Sequence, residues 1–399
     1  MDQGMIKGVQ GFRFATRPAG IRKAGRTDLA LIFSEVPALC AGVFTTNKVV
    51  AAPVTLTAPR IRRGECQAIL VNSGNANACT GEPGLQNARR CGDLAARALG
   101  IDPELVAVSS TGVIGAPLPM DRFEEHVPLL AADLAADGAM AVAEAIMTTD
   151  SFPKVSAAQG EAGGRPYTIL GVAKGAGMIH PNMATMLAFV LTDAAVEPAL
   201  LDQALRQGVD LSFNSITVDR DTSTNDMVLV LANGLAANPV ICRGTPEGEA
   251  FAAELNAILL DLAKMIVRDG EGATKLVEIR VRGAVSYGEA RQAACSVATS
   301  NLVKTAFFGE DANWGRIIAA VGYSGAEVDP EKIDILFGDV QVVRNGLTTG
   351  KELEERATAI LKTPEFTVTV DLHLGDGAAS YYTSDLTYDY VKINAAYRT

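Results

Sequence analysis

Thr185 follows a small residue, Ala184, inside the run Lys174-Gly175-Ala176-Gly177-Met178-Ile179-His180-Pro181-Asn182-Met183-Ala184-Thr185-Met186-Leu187. Flexible glycines lead this run, a Pro-Asn turn divides it, and Thr185 opens an apolar stretch. In a strained peptide, a threonine hydroxyl can attack the carbonyl that precedes it. The acyl group then shifts from nitrogen to oxygen, and hydrolysis of that ester frees the threonine as a new amino terminus. Such a residue carries a hydroxyl nucleophile and its own α-amine on adjacent carbons. The amine has a pKa of about 7.7–8.0, which suits a general base near neutral pH. Taken alone, the Ala-Thr pair reads as the start of a β-strand, where β-branched residues are common.

Other routes to chemistry find little support. His126, His180 and His373 are the three histidines, none at metal-ligand spacing, and neither H-E-x-x-H nor G-x-S-x-G occurs. Gly175-Ala176-Gly177 begins like a dinucleotide fingerprint, but the third glycine is missing, and no Walker-type loop is present. Asp219, Asp221 and Asp226 start like a calcium loop; Thr224 then stands where glycine is needed and Val230 where glutamate is needed. The cysteines, Cys40, Cys66, Cys79, Cys91, Cys242 and Cys295, contain no C-x-x-C pair and read as small apolar residues of a reducing compartment. Hydroxyls, amides, a lysine and a few carboxylates remain, with no metal and no resident cofactor expected.

Residues 174–187 resemble, throughout, the processing-site motif of the ornithine acetyltransferase (glutamate N-acetyltransferase) family of arginine biosynthesis. The resemblance extends in order along the chain. It takes in the Asn72–Gly81 loop, Ser110-Thr111-Gly112-Val113-Ile114-Gly115, Thr148-Thr149-Asp150, Asp311–Arg316 and the end Ile393–Thr399. It implies cleavage between Ala184 and Thr185 into an α fragment, 1–184, and a β fragment, 185–399, interlocked in one structure. Thr185 is then the nucleophile, with its freed amine as general base. The acetyl group would pass from N2-acetyl-L-ornithine to L-glutamate by ping-pong chemistry through an acetyl-threonine. The resemblance also admits acetyl-CoA as an acetyl donor, and it implies a heterotetramer of two α and two β fragments.

The resemblance further implies an oxyanion hole at Thr111 and Gly112, and substrate contacts at Thr148, Lys174, Thr185, Glu271, Asn394 and Thr399. Each position has a plain alternative. Ser-Thr-Gly is an ordinary turn, Thr148 a helix-terminal hydroxyl, and Asp150 a turn residue. Lys174 is otherwise a solvated lysine, Glu271 a charged residue of an exposed loop, and Asn394 and Thr399 a tail. His180 and Cys79 lie inside motifs without a chemical role and read as structural. Two other activities stay open: a related self-processing aminopeptidase or amidase, with water as acceptor, and a non-catalytic amino-acid-binding protein.

The elements that must position these residues alternate between helix and strand. Leu85, Ala88, Cys91, Ala95 and Ala98 keep helical spacing up to Gly100, a C-cap. Further helices are expected over about Arg122–Met147, with Gly138 as a weak point, and along the Phe251–Ile266 stripe. Strands are expected at Leu105–Val108, Tyr167–Val172, Met186–Leu191, Met227–Leu231, Val277–Val281 and Phe366–Val370. A hairpin should turn at Gly338-Asp339, and alternating Tyr388, Tyr390 and Val391 predict a final strand. The resemblance implies an α+β fold, with a layered αββα core and a second α/β lobe.

Composition sets the outer bounds. With 399 residues and 48% hydrophobic content, the chain has enough apolar material for a large core without disulfides. A net charge of −11 makes it a poor partner for nucleic acid. No apolar run reaches the ~18 residues that would cross a bilayer, and the start lacks a secretory pattern, so the expected location is the cytoplasm.

Overall fold

Strands form where β-branched and apolar residues run continuously, because those segments are buried on both faces. The clearest are β7 (Leu187–Thr192) and β9 (Met227–Ala232), in which every residue is buried. The computed structural model describes residues 8–21, 25–180 and 186–395. The described residues within 1–175, 181–214 and 221–263 form one compact unit; those within 176–180, 215–220 and 264–399 form another. Both units draw on chain from either side of position 184.

In the first unit the strands are β1 (Phe12–Arg17), β2 (Leu29–Phe44), β3 (Glu65–Asn72), β4 (Val106–Ser110), β5 (Lys154–Ala162), β6 (Arg165–Lys174), β7 and β9. They pair in the order β4-β3-β2-β9-β7-β6-β5, with β1 also on β2. The helices are α1 (Ala52–Ile61), α2 (Gly81–Leu99), α3 (Met120–Ala132), α4 (Ala139–Ala145), α5 (Pro198–Leu211) and the first part of α6 (Pro246–Arg268). β2 bridges two halves of the sheet. Its first part pairs with β3, the register shifts between Phe33 and Ala38, and Leu39–Phe44 pairs with β9.

Alternation along the strands then sorts side chains between layers. Leu29 and Leu31 of β2, with Ala68 and Leu70 of β3, pack with Cys91 and Ala95 of α2 and with Phe123 and Val127 of α3. Ala30, Ile32, Ile69 and Val71, on the opposite face, share a core with Leu170 and Val172 of β6, Phe189 of β7 and Leu229 of β9. The outer face of β6 meets α6: a Cβ placed on Gly171 would lie 2.7 Å from Leu262 and 2.9 Å from Ile258. Helices, the two halves of the sheet and helix are thus stacked in that order, the expected αββα core.

In the second unit β8 (Ile216–Thr217), β10 (Leu276–Ala284), β11 (Asp334–Phe337), β12 (Val340–Arg344), β13 (Leu347–Thr348), β14 (Glu365–Asp371) and β15 (Gly377–Ser384) make a mixed sheet of order β13-β12-β11-β14-β10-β15-β8. Val277, Ile279 and Val281 of β10 and Val368 and Val370 of β14 pack with α7 (Tyr287–Ala298), α8 (Asn301–Phe308), α9 (Trp314–Gly322) and α10 (Lys351–Leu361). This is the second α/β lobe. The last element, α11, spans Tyr388–Ala395.

Three expectations need correcting. The helix over Arg122–Met147 is two helices, because Phe14 and Ala135 exchange backbone hydrogen bonds (2.8 and 3.0 Å) and pull the chain out of helical geometry. The end of the chain is helical rather than a strand. Thr387 Oγ1 accepts from the N–H of Tyr390, three residues on as in an N-cap, and Tyr388 sets its ring edge-on to Phe308. Glu271 is buried rather than exposed. The cysteines also divide: Cys40, Cys66 and Cys91 are buried, whereas Cys79 and Cys242 are exposed. Burial pushes the Cys66 thiol up to about 12. Among the described residues no helix is long and apolar enough to cross a membrane.

Candidate active site

Three elements of the first unit end at one place. β4 stops at Ser110 and delivers Thr111 and Gly112. The segment is clamped to the asparagine-rich loop: the N–H of Thr111 donates to Asn72 O (3.0 Å), and the N–H of Ala76 donates to Val113 O (3.0 Å). Side-chain amides brace both strands of the clamp. Asn72 accepts from the Ser110 hydroxyl (2.7 Å) and donates to Asn75 O (2.9 Å), while Asn225 donates to Ala76 O (2.6 Å) and Ser110 O (2.9 Å). Gly112 has φ +135°, and a Cβ there would lie 2.3 Å from the carbonyl carbon of Gly74. Only glycine fits.

Thr148 follows α4, and Lys174 is the last residue of β6. Lys174 is buried, its Nζ donating to Thr148 Oγ1 at 2.7 Å and to Thr111 Oγ1 at 3.4 Å. Beneath them sits Asp150. Its Oδ1 accepts from Lys154 Nζ (2.8 Å) and the N–H of Gly175 (2.7 Å), and its Oδ2 from the N–H of Thr148 (2.9 Å) and, at 3.5 Å, its hydroxyl. Lys174 Nζ is 3.9 Å from the same carboxylate. The side chains of Asp150 and Lys154 have no exposed surface.

Burial by itself would raise the Asp150 carboxyl, but the charges of Lys174 and Lys154 and the hydrogen bonds outweigh it and hold the group well below the usual carboxylate range. A depressed folded-state value means stability that is present above the unfolded pKa, about 3.9, and lost as pH falls toward the folded one. Asp150→Asn should therefore lower the unfolding free energy most above about pH 5, by an amount on the order of 3 kcal/mol. The gap to wild type should narrow below about pH 4. Denaturation curves at pH 7 and pH 3.5 check this; an equal gap at both would contradict an ionised Asp150.

In the second unit Glu271 and Asn394 come together. Asn394 Nδ2, on α11, donates to Glu271 Oε2 at 2.7 Å, and the N–H of Glu271 donates to Ala176 O at 2.9 Å. A Cβ on Gly177 would strike the Glu271 carboxyl at 2.4 Å, so the glycine is what lets the chain pass. Asp385 holds the loop behind Glu271 through the N–H groups of Thr274 (2.8 Å) and Lys275 (3.0 Å). Beside it the buried Lys304 donates to Thr383 Oγ1 (2.9 Å) and to the Ser384 carbonyl; burial pushes its ammonium down to about 7. Asp219 accepts from the N–H groups of Met178 (2.5 Å) and Ile179 (2.7 Å), fixing the segment that Glu271 also touches.

The residues singled out in the sequence thus fall into two described groups, Thr111, Gly112, Thr148 and Lys174 in one unit and Glu271 and Asn394 in the other. Ala184, Thr185 and Thr399 lie outside the described residues. His180 sits 3.3 Å from Thr217 Oγ1, and Cys79 is exposed at φ +56°. The supporting roles of Lys154, Asn225 and Asp385 were missed. Lys154, four residues after Asp150, was the one with a local signal. Among the described residues no group of three or more His, Cys, Asp or Glu side chains could hold a metal ion.

Comparison with known proteins places this chain in a family. The ArgJ family model matches residues 13–399. The arginine biosynthesis bifunctional protein ArgJ of Syntrophotalea carbinolica is 68% identical over 99% of this chain and all of its own. That of Geobacter sulfurreducens is 58% identical over 98% of this chain and all of its own. A crystal structure of the Bacillus halodurans protein of that name is 50% identical with a TM-score of 0.52; the match takes in 53% of this chain and 99% of the solved one.

Proposed function

The chain belongs to the ArgJ family, and from that premise we propose that it cleaves itself between Ala184 and Thr185 and then carries acetyl from N2-acetyl-L-ornithine to L-glutamate on Thr185. It is an enzyme of arginine biosynthesis, a glutamate N-acetyltransferase of the ornithine acetyltransferase type. The observation that carries the finer reading is the buried Lys174, which joins the hydroxyls of Thr111 and Thr148 at the end of the strand leading into the processing motif. The solved relative supports a divided chain. Nearly all of it matches, yet the match takes in only about half of this protein. A cut at 184 would leave a 185–399 fragment of just over half the length.

In this scheme the Thr185 amine takes the hydroxyl proton as Oγ attacks the acetyl carbonyl. The Thr111 hydroxyl and the Gly112 N–H stabilise the oxyanion. Collapse expels ornithine, whose leaving nitrogen takes the proton back, and leaves an acetyl-threonine ester. The glutamate amine then attacks that ester, and the same steps run in reverse. Lys174 and Thr148 are assigned to substrate polar groups, as are Glu271, Asn394 and Thr399.

Intact mass spectrometry tests the scheme. Incubation with acetylornithine alone should add one acetyl group to a fragment of residues 185–399, and glutamate should discharge it as acetylglutamate. Discharge by water that glutamate does not accelerate would favour the amidase reading. Saturable binding to an uncut chain, with no adduct, would favour a binding protein. Acetyl-CoA and glutamate without acetylornithine test the second acetyl donor that the resemblance admits; free CoA and acetylglutamate should form. We further propose that the fragments associate as a heterotetramer in the cytoplasm.

A further inference from the structure

We propose that Asp150 is a positioning residue that holds Lys174 and Thr148 in place, so that Lys174 donates to Thr111 and Thr111 presents its hydroxyl proton to the reacting carbonyl oxygen. The inference rests on the reading of Thr111 as an oxyanion donor. An ionised carboxylate only accepts hydrogen bonds, and an ammonium only donates them. A hydroxyl that meets the ammonium must accept from it. Lys174 Nζ donates to Thr148 Oγ1 (2.7 Å) and to Thr111 Oγ1 (3.4 Å), so neither threonine can send its own proton toward the lysine. Thr148 has an acceptor for its proton in Asp150 Oδ2 at 3.5 Å. Thr111 is left with its proton directed away from Lys174, as an oxyanion donor requires.

Asp150 also fixes where these groups stand. It takes the N–H of Thr148 (2.9 Å) and the N–H of Gly175 (2.7 Å), which ties down the backbone on both sides of the Thr148–Lys174 contact. Lys154, wholly buried at 2.8 Å, balances the second carboxylate oxygen. An amide at position 150 would have the same shape but would carry two N–H donors. It would bring no charge to hold the Lys174 ammonium 3.9 Å away, and an N–H turned to Thr148 would break the contacts that fix that residue, so Lys174 would no longer be held against Thr111.

The test compares Asp150→Asn, Thr111→Ala and the double variant in steady-state acetyl transfer. Asp150→Asn should lower kcat on the order of 10- to 10²-fold, short of deleting the oxyanion donor itself, with KM for acetylornithine little changed. On the Thr111→Ala background the same change should cost almost nothing more, because the two act as one unit. Full additivity, or wild-type kcat in Asp150→Asn, would overturn the proposal. Wild-type kcat in Thr111→Ala would instead overturn the oxyanion reading beneath it. If Asp150→Asn folds poorly, Asp150→Asn with Lys154→Met removes the uncompensated buried ammonium, and the same kcat loss is expected there.

Discussion

Thr185→Ala should run as a single 399-residue polypeptide on a denaturing gel and show no acetyl transfer. Two steps need that one hydroxyl. Without it no acyl shift can break the 184–185 bond, so the amine that serves as base is never released. Without it there is also no oxygen to hold the acetyl group. Removal of a nucleophile in hydrolases costs on the order of 10⁶-fold in kcat, so the residual rate falls below detection. Thr185→Ser keeps the hydroxyl and should give two bands and measurable turnover. An uncut Thr185→Ala protein that still made acetylglutamate would end the scheme.

The next largest effect is expected of Gly112→Ala. At φ +135° an alanine is strained wherever it points, and here its methyl would sit 2.3 Å from Gly74 C, 2.5 Å from Asn75 N and 2.6 Å from Gly74 O. Those are backbone atoms, held by Asn72 and Asn225, so they cannot step aside as a side chain would. The Gly112 N–H must move instead. Loss of one oxyanion donor costs about 2.7–4 kcal/mol, or 10²–10³-fold in kcat. The strain itself adds a stability loss of about 1–3 kcal/mol. The expected signature is a collapse of kcat with substrate binding retained, alongside a lower Tm. Wild-type kcat in a folded Gly112→Ala would remove Gly112 from the oxyanion hole.

How much of this could be read from residues alone depended on range. α2 was legible because its stripe and the left-handed Gly100 that ends it are local. The β11–β12 hairpin turned at Gly338-Asp339 for the same reason. The break between α3 and α4 was not legible, because the strand residue that causes it, Phe14, lies more than a hundred positions away. α11 carried a local signal that lost to a misread one: Thr387, with Asp389 behind it, starts a helix, while the tyrosines mimic strand alternation. The resemblance located Lys174 and Glu271. Their burial was beyond it, since Asp150 and Asn394 reach them only after folding. The long β2 went unread, although Leu29–Phe33 is a plain apolar run.

β7 begins two residues beyond Thr185 and is sealed on both edges, by β6 from before position 184 and by β9 from after it. If the chain is severed there as proposed, its two pieces are partners for life. Isotope-labelled halves mixed with unlabelled enzyme would never equilibrate short of denaturation, and a cell carrying two alleles would hold two pure populations of catalytic units rather than hybrids.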